Sequence, residues 1–428
     1  MYFIVKKRLL IIILAALTTF MSACSGTPSS TESTVDDSSA AVESTVSEVL
    51  QEESSTYVFG EPVSSTLDIN SGTFVKAEEV DSQYITKTAG GYTYLNIFSP
   101  VIDISGFASL EENNNQLYRM LLADKDKYSD NNDWLGWSTS GGRIRFRTNA
   151  TSLQVDITLQ NINGGMKHFA PSGVSGIDVY VGTGTARKYN CTILPKTEPS
   201  YSGTIYLPSG TKEVMIDLPL YAGVKSMSIG FPTGSTVAEP LPYTYEKPVV
   251  FYGSSITQGG CASRPGTAYF HVITRAFDAN IVNLGFSGSA LGETSIAEYI
   301  ASIEMSAFVF DYDYNADTLE KLSPTHYPFY EIVRAAHPDI PIIFVSRANY
   351  SKYDTNAVQC RSLIIANYNK AKKAGDENVY FVDGSLFYDE YNPGDYTVDG
   401  LHPTDLGFRM MAEDIFPVLK EALEKVNN

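Results

Sequence analysis

At 428 residues and 43% hydrophobic composition, the chain holds enough apolar material for more than one core, and so for more than one domain. Its 49 acidic against 31 basic residues give a net charge of −18. That balance excludes the basic footprint a nucleic-acid partner requires and disfavours docking on an anionic membrane surface.

The first residues read as an export signal. Lys6, Lys7 and Arg8 precede the apolar run Leu9 to Phe20, which is short for a bilayer span, and small residues follow. Met21-Ser22-Ala23-Cys24 resembles a bacterial lipobox, in which the cysteine is acylated and becomes the mature N-terminus; an ordinary signal peptide with an incidental cysteine is the plainer alternative. The expected organisation is a signal peptide over 1–23, a disordered tether over 24–57, a β domain over 58–245 and a second domain over 246–428. Ser, Thr and Glu dominate the tether, and such a segment lacks the apolar surface to offset its ordering entropy. The expected location is extracellular, with the lipid on Cys24 as the sole membrane attachment.

From about residue 60 to 245 the pattern has period two. Ile144 and Phe146 alternate with Arg143, Arg145 and Arg147. Leu153, Val155, Ile157 and Leu159 alternate with polar residues, as do Val214, Ile216 and Leu218, and then Met227, Ile229 and Phe231. This pattern predicts strands with one buried face, and the many intervening turns predict a β-sandwich or jelly roll. Glu239 to Pro248 reads as the linker.

Beyond Lys247 the apolar runs Val249–Tyr252, Ile281–Leu284, Phe308–Phe310, Ile342–Val345 and Val379–Val382 predict buried strands. Helical segments over Ser295–Ile303, Phe329–Ala336 and Ala357–Ala374 alternate with them. The last helix, Asp405–Val426, is expected to kink or restart at Pro417. The alternation predicts an α/β fold, a flavodoxin-like doubly wound parallel sheet. If Cys24 carries lipid, three cysteines remain, and at most one disulfide is expected, Cys261–Cys360 being preferred because both lie in the second domain. No metal-ligand spacing is present, and no metal or cofactor is expected.

In such a sheet the carboxyl ends of the strands carry the site. Those ends offer Gly253-Ser254-Ser255-Ile256-Thr257-Gln258-Gly259-Gly260, then Gly285-Phe286-Ser287-Gly288-Ser289, then Asp311-Tyr312-Asp313-Tyr314-Asn315-Ala316, and finally Asp399-Gly400-Leu401-His402-Pro403. A serine hydroxyl needs a base to take its proton, and histidine held by a carboxylate is suited to that task. The segment Tyr252 to Gly266 and the Asp399-x-x-His402-Pro403 block resemble the SGNH/GDSL serine hydrolases. The run Gly176-Ile177-Asp178-Val179-Tyr180 resembles the Gly-x-Asp-Leu-Tyr signature of the β domain in their two-domain bacterial branch, with Val for Leu.

The resemblance implies a carboxylic-ester hydrolase with Ser255 as nucleophile and Asp399 and His402 completing a triad. It places the oxyanion donors at the Ser255 amide, the Gly288 amide and the Asn315 side chain. The family's Gly-x-Asn-Asp block is reduced here to Tyr314-Asn315-Ala316, which leaves Asp311 or Asp313 as the alternative polar group at that strand end. Gln258 and Arg264 are candidate substrate contacts, a loop salt bridge being the competing role for Arg264. His271 is expected to be packed inside a helix, His326 and His337 to be caps or surface groups, and His168 to be structural or exposed, with a shared cleft as the competing place for it. Trp134 and Trp137 suit either sugar stacking or core packing.

The expected partner is an acylated carbohydrate or other small ester, with removal of short acyl groups such as acetyl. A non-catalytic glycan-binding lipoprotein and an esterase acting on lipid or other acyl groups are the competing classes.

Overall fold

The computed structural model describes residues 59–162, 166–195, 199–348, 350–388 and 392–427; the expected signal segment, Cys24 and the whole of the tether lie outside them. The described residues fall within one compact unit.

Two antiparallel sheets come first. One runs, in spatial order, Val75–Lys76, Thr236–Ala238, Arg143–Thr148, Lys212–Asp217, Ile177–Val181 and Lys188–Ile193, with Asp103–Ser105 also paired to Arg143–Thr148. The other runs Ile85–Ala89, Tyr92–Asn96, Gly223–Pro232, Ser152–Gln160 and Ser200–Tyr206. Ile144, Phe146, Val214 and Ile216 from the first meet Leu153, Val155, Ile157 and Ile229 from the second in a single apolar core. This is the sandwich that period-two patterning predicts.

The arginine face departs from expectation. Ser152–Gln160 alternates buried and half-buried residues, as a strand with one solvated face should. Arg143–Thr148 and Lys212–Asp217 are instead buried at every position. The second half of the chain covers this polar face at Arg143, while Asp103 and the Leu241 carbonyl take Arg145, and the Glu239, Ile69 and Ser71 carbonyls take Arg147. Arg143 donates to Asp217 (2.9 Å), to the Ala279 carbonyl (3.1 Å) and to Thr274 (2.8 Å). Arg119 caps the Asn283 and Gly285 carbonyls, at 3.1 and 2.7 Å. Buried cations are tolerated where each finds such partners.

The second half is built on a parallel sheet of β1 (Tyr245–Gly253), β2 (Ala279–Gly285), β3 (Ala307–Asp311), β4 (Ile342–Val345) and β5 (Val379–Val382), in the order β2-β1-β3-β4-β5. That is the flavodoxin-like order. Its helices include α1 (Ser255–Gln258), α2 (Tyr269–Phe277), α3 (Thr294–Ala301), α4 (His326–Ala336), α5 (Thr355–Lys373) and α6 (Asp405–Asn427), with a single short turn of helix over Leu319–Leu322 before α4. Along β1, Val249 and Phe251 enter the core made with α2 and α6, while Val250 and Tyr252 enter the one made with α3, α4 and α5. Both faces are covered, which is why these strands read as unbroken apolar runs.

One expectation is narrowed and one corrected. Pro417 lies inside α6, which continues past it as one helix rather than restarting. Cys261 and Cys360 sit in the cores on opposite faces of the sheet, so they are not paired, and Cys191, Cys261 and Cys360 are all free thiols.

Two buried histidines make stability depend on pH. His271 lies against Arg143 (3.0 Å), and burial, helped by Arg143 and Arg275, lowers its pKa from 6.5 to about 3. His326 is packed on Phe310 and Tyr312, and burial lowers it likewise to about 3. Both folded values lie below the unfolded one, so the unfolded chain binds more protons between them. The stability these sites carry is present above about pH 6.5 and is lost as pH falls toward 3. The urea midpoint is expected to drop from pH 7 to pH 4, and His326→Gln to flatten that slope. An unchanged slope in the variant would remove His326 from the account.

Candidate active site

The turn after β1 places the first two groups. Gly253 is obligatory there: a Cβ on it would lie 1.9 Å from the Asp311 carbonyl oxygen and 2.1 Å from the Thr257 hydroxyl. Ser254 is the N-cap of α1, its hydroxyl accepting from the Ile256 amide at 3.2 Å. Ser255 is then the first helical residue, 7% exposed at the carboxyl end of β1, where the strand order reverses. Its carbonyl accepts from the Gly260 amide (2.9 Å) and from the Tyr221 hydroxyl (3.2 Å), so the sandwich half braces the serine turn directly.

The loop before α6 supplies the other two. Ser255 Oγ lies 3.0 Å from His402 Nε2, and His402 Nδ1 lies 2.8 Å from Asp399 Oδ2. With Nδ1 facing a carboxylate, the proton belongs on Nδ1 and the lone pair on Nε2, where the serine hydroxyl donates to it. Asp399 Oδ1 also accepts from the amides of His402 (2.7 Å) and Leu401 (3.0 Å). Partial burial works against the Asp399 charge, but these hydrogen bonds outweigh it and hold the carboxyl below the usual carboxylate range.

Gly288 sits on an exposed turn with φ +69°, and no atom lies within 4 Å of where its Cβ would be. Among the described residues no protein acceptor takes the Ser255 or Gly288 amide. Asn315 Oδ1 accepts from the Ala290 amide at 3.1 Å, which ties its carboxamide to the Gly288 loop. Asp311 and Asp313 are not alternatives to it. Asp311 is fully buried beside the Thr257 and Tyr269 hydroxyls, and burial, with Asp313 nearby, raises its pKa well above the usual range. Asp313 is held by Arg347 at 3.3 Å.

Of the two candidate substrate contacts, Gln258 is corrected and Arg264 takes its competing role, a loop salt bridge. Gln258 is fully buried: its Nε2 donates to Ser138 and the Leu220 carbonyl (both 3.3 Å), and its Oε1 accepts from the Ser287 amide (2.9 Å). It joins the two halves of the chain instead of facing a ligand. Arg264 turns onto the sandwich, donating to Asp178 (2.6 Å) and Tyr180 (2.8 Å) and stacking on Tyr189. Asp178 also accepts from the Gly266 amide at 2.9 Å. The Gly176 to Tyr180 run therefore has a mechanical role, since its Asp and Tyr clamp the loop that follows the serine.

One residue was undervalued. His168, from the sandwich half, places Nε2 3.2 Å from Asp399 Oδ2, with its ring 6.0 Å from that of His402. Nothing in the sequence marks it beyond its being one of five histidines. His271 is packed and His337 caps its helix, as expected, whereas His326, expected as a cap or surface group, is buried against Phe310 and Tyr312. Trp137 packs on Tyr118, while Trp134 is 42% exposed.

Comparisons with known proteins agree with this arrangement. Residues 246–420 match the GDSL-like lipase/acylhydrolase family, and residues 92–237 match the GxDLY domain, the N-terminus of SGNH-hydrolase-type esterases. A GDSL-like lipase from Bacteroides ovatus ATCC 8483 is similar over 78% of this chain and 98% of its own, at 25% identity and a TM-score of 0.70. The salicylyl-acyltransferase SsfX3 from a tetracycline biosynthetic pathway shares the fold over 79% of this chain and 99% of its own, at 20% identity and a TM-score of 0.65. A family two carbohydrate esterase from Cellvibrio japonicus shares it over 78% and 98%, at 12% identity and a TM-score of 0.51. No curated protein matches the chain. The sandwich with its Gly-x-Asp-x-Tyr clamp, the parallel sheet and the two family matches together make this chain an ester hydrolase of the SGNH/GDSL family, in the branch that carries an N-terminal β domain.

Proposed function

We propose that the chain hydrolyses short acyl esters through an acyl-enzyme, with Ser255 as nucleophile, His402 as base and Asp399 as the group that orients it. The observation that carries this reading is the continuous chain of hydrogen bonds from Ser255 Oγ through His402 to Asp399. His402 takes the serine proton as Oγ attacks the carbonyl, then returns it to the leaving alcohol; water repeats the sequence to release the acid. The amides of Ser255 and Gly288 and the Asn315 carboxamide stabilise the oxyanion.

The substrate class we propose is an acetylated carbohydrate. The nucleophile is nearly covered and flanked by glycine turns, which suits a small acyl group. The net charge of −18 favours a neutral ester over one on an anionic lipid. On a panel of acetylated glycans the protein is expected to release acetate, with acetyl esters turned over far faster than long-chain ones. A fluorophosphonate is expected to label Ser255. Labelling elsewhere, or no labelling, would reject the mechanism; a preference for long chains would reject the substrate class.

We also propose that the chain is exported and held at the membrane by lipid on Cys24, with residues 24–57 as its tether. Cys24→Ser is expected to move the protein from the membrane fraction to the soluble one, and retention in the membrane would refute the anchor.

A further inference from the structure

The catalytic-type histidine has neighbours that ester hydrolysis does not use. Cys261 is buried, with Sγ 3.8 Å from Met166 Sδ, and His168 reaches in from the sandwich half. One ligand atom each from His168, Cys261 and His402 lies within 4.8 Å of the others. Asp399 Oδ2 stands beside both rings, 2.8 Å from His402 Nδ1 and 3.2 Å from His168 Nε2. Carboxylates that hold metal-bound histidines stand in this relation to them.

We infer that His168, Cys261 and His402 form a binding site for a zinc-class divalent cation, and that its occupation switches off ester hydrolysis. The donor set decides the class of ion. Two imidazoles and a thiol suit Zn2+ or Co2+, whereas Mg2+ and Ca2+ require oxygen ligands. Bond lengths of about 2.0–2.3 Å set tetrahedral donors roughly 3.5 Å apart, so the three atoms must close by about 1 Å. His168 has the freedom to do this, because its side chain is 38% exposed on a surface turn.

Binding forms two metal–nitrogen bonds and one metal–sulfur bond. The Cys261 thiol releases its proton to water, and no electron is transferred. Water completes the sphere, and Asp399 stays outside it, holding the histidines. Metal on either nitrogen of His402 disables it: Nε2 is the proposed base, and Nδ1 carries the bond to Asp399. The inhibitory consequence, though not the site itself, rests on the proposed triad.

The test uses the purified full chain. One Zn2+ per chain is expected to bind by calorimetry and to inhibit aryl acetate hydrolysis. Cys261→Ser and His168→Ala, each compared with its own zinc-free rate, are expected to weaken that inhibition by roughly 10–100-fold, the range that even outer-shell partners of a metal command. Co2+ in place of Zn2+ should give a thiolate-to-cobalt charge-transfer band in the near ultraviolet, and Cys261→Ser should abolish it. Ser255→Ala retains all three ligands, so it should give the same band whether or not the triad is correct. Absence of the band in the native chain, or inhibition unchanged in both ligand variants, overturns the inference.

Discussion

Ser255→Ala is expected to lower kcat for a short aryl acetate by roughly 10³–10⁶-fold, with the thermal transition unchanged. The proposed nucleophile makes few contacts that the fold needs; its hydroxyl is bonded to His402, and the turn is held by its backbone and by the Ser254 cap. Because Ser255 and His402 act as a unit, His402→Ala should lose about as much, and the double variant little more. Asp399→Asn should cost about 10⁴-fold or less, because an amide at that position no longer fixes the Nδ1–H tautomer. The Leu401 and His402 amides would still find the side-chain oxygen, so the loop should keep its shape. Steady-state kinetics with calorimetry on the three single variants and the double checks all of this. If Ser255→Ala retains a tenth of the native rate, or if the Ser255 and His402 losses multiply, the three residues are not one catalytic unit.

What the sequence disclosed follows from the range of the forces involved. The five parallel strands and their helices were legible because burial on both faces leaves continuous apolar runs, and Ser255, Asp399 and His402 because each sits in a motif at a strand end or helix start. Contacts between the two halves were not legible. Arg143, Arg145 and Arg147 read as a solvated stripe, since alternation records only which residues share a face, not what covers that face. Gln258 and Arg264 lie near the serine in sequence, yet Ser138, Leu220, Asp178 and Tyr180 draw them toward the sandwich. His168 is the converse case: far from every motif in sequence, it lies beside Asp399. Cys261 and Cys360 share a domain in sequence but are divided by the sheet.

The same buried stripe bears the largest expected stability effect. Arg143→Ala should destabilise the protein by roughly 3–5 kcal/mol, the cost of breaking one side of a buried ion pair. Arg143 and Asp217 are both essentially inaccessible, at 1% and 0% side-chain exposure, and lie 2.9 Å apart. Burial opposes the charge on Asp217, but near pH 7 the Arg143 and Arg275 guanidiniums outweigh it and keep its pKa low. Without Arg143, Asp217 keeps, among the described residues, only Arg275 at 3.3 Å and the His271 ring, also at 3.3 Å, which burial holds neutral near pH 7. The Ala279 carbonyl and the Thr274 hydroxyl lose their donor at the same time. Replacing both partners by apolar residues, Arg143→Met with Asp217→Leu, removes the stranded charge as well as the pair. It should recover much of the loss, because the desolvation of both ions is then avoided. Urea unfolding of the two single variants and the double gives the cycle directly. A loss below about 1 kcal/mol for Arg143→Ala would mean that water reaches Asp217, and that the join between the halves is looser than these distances imply.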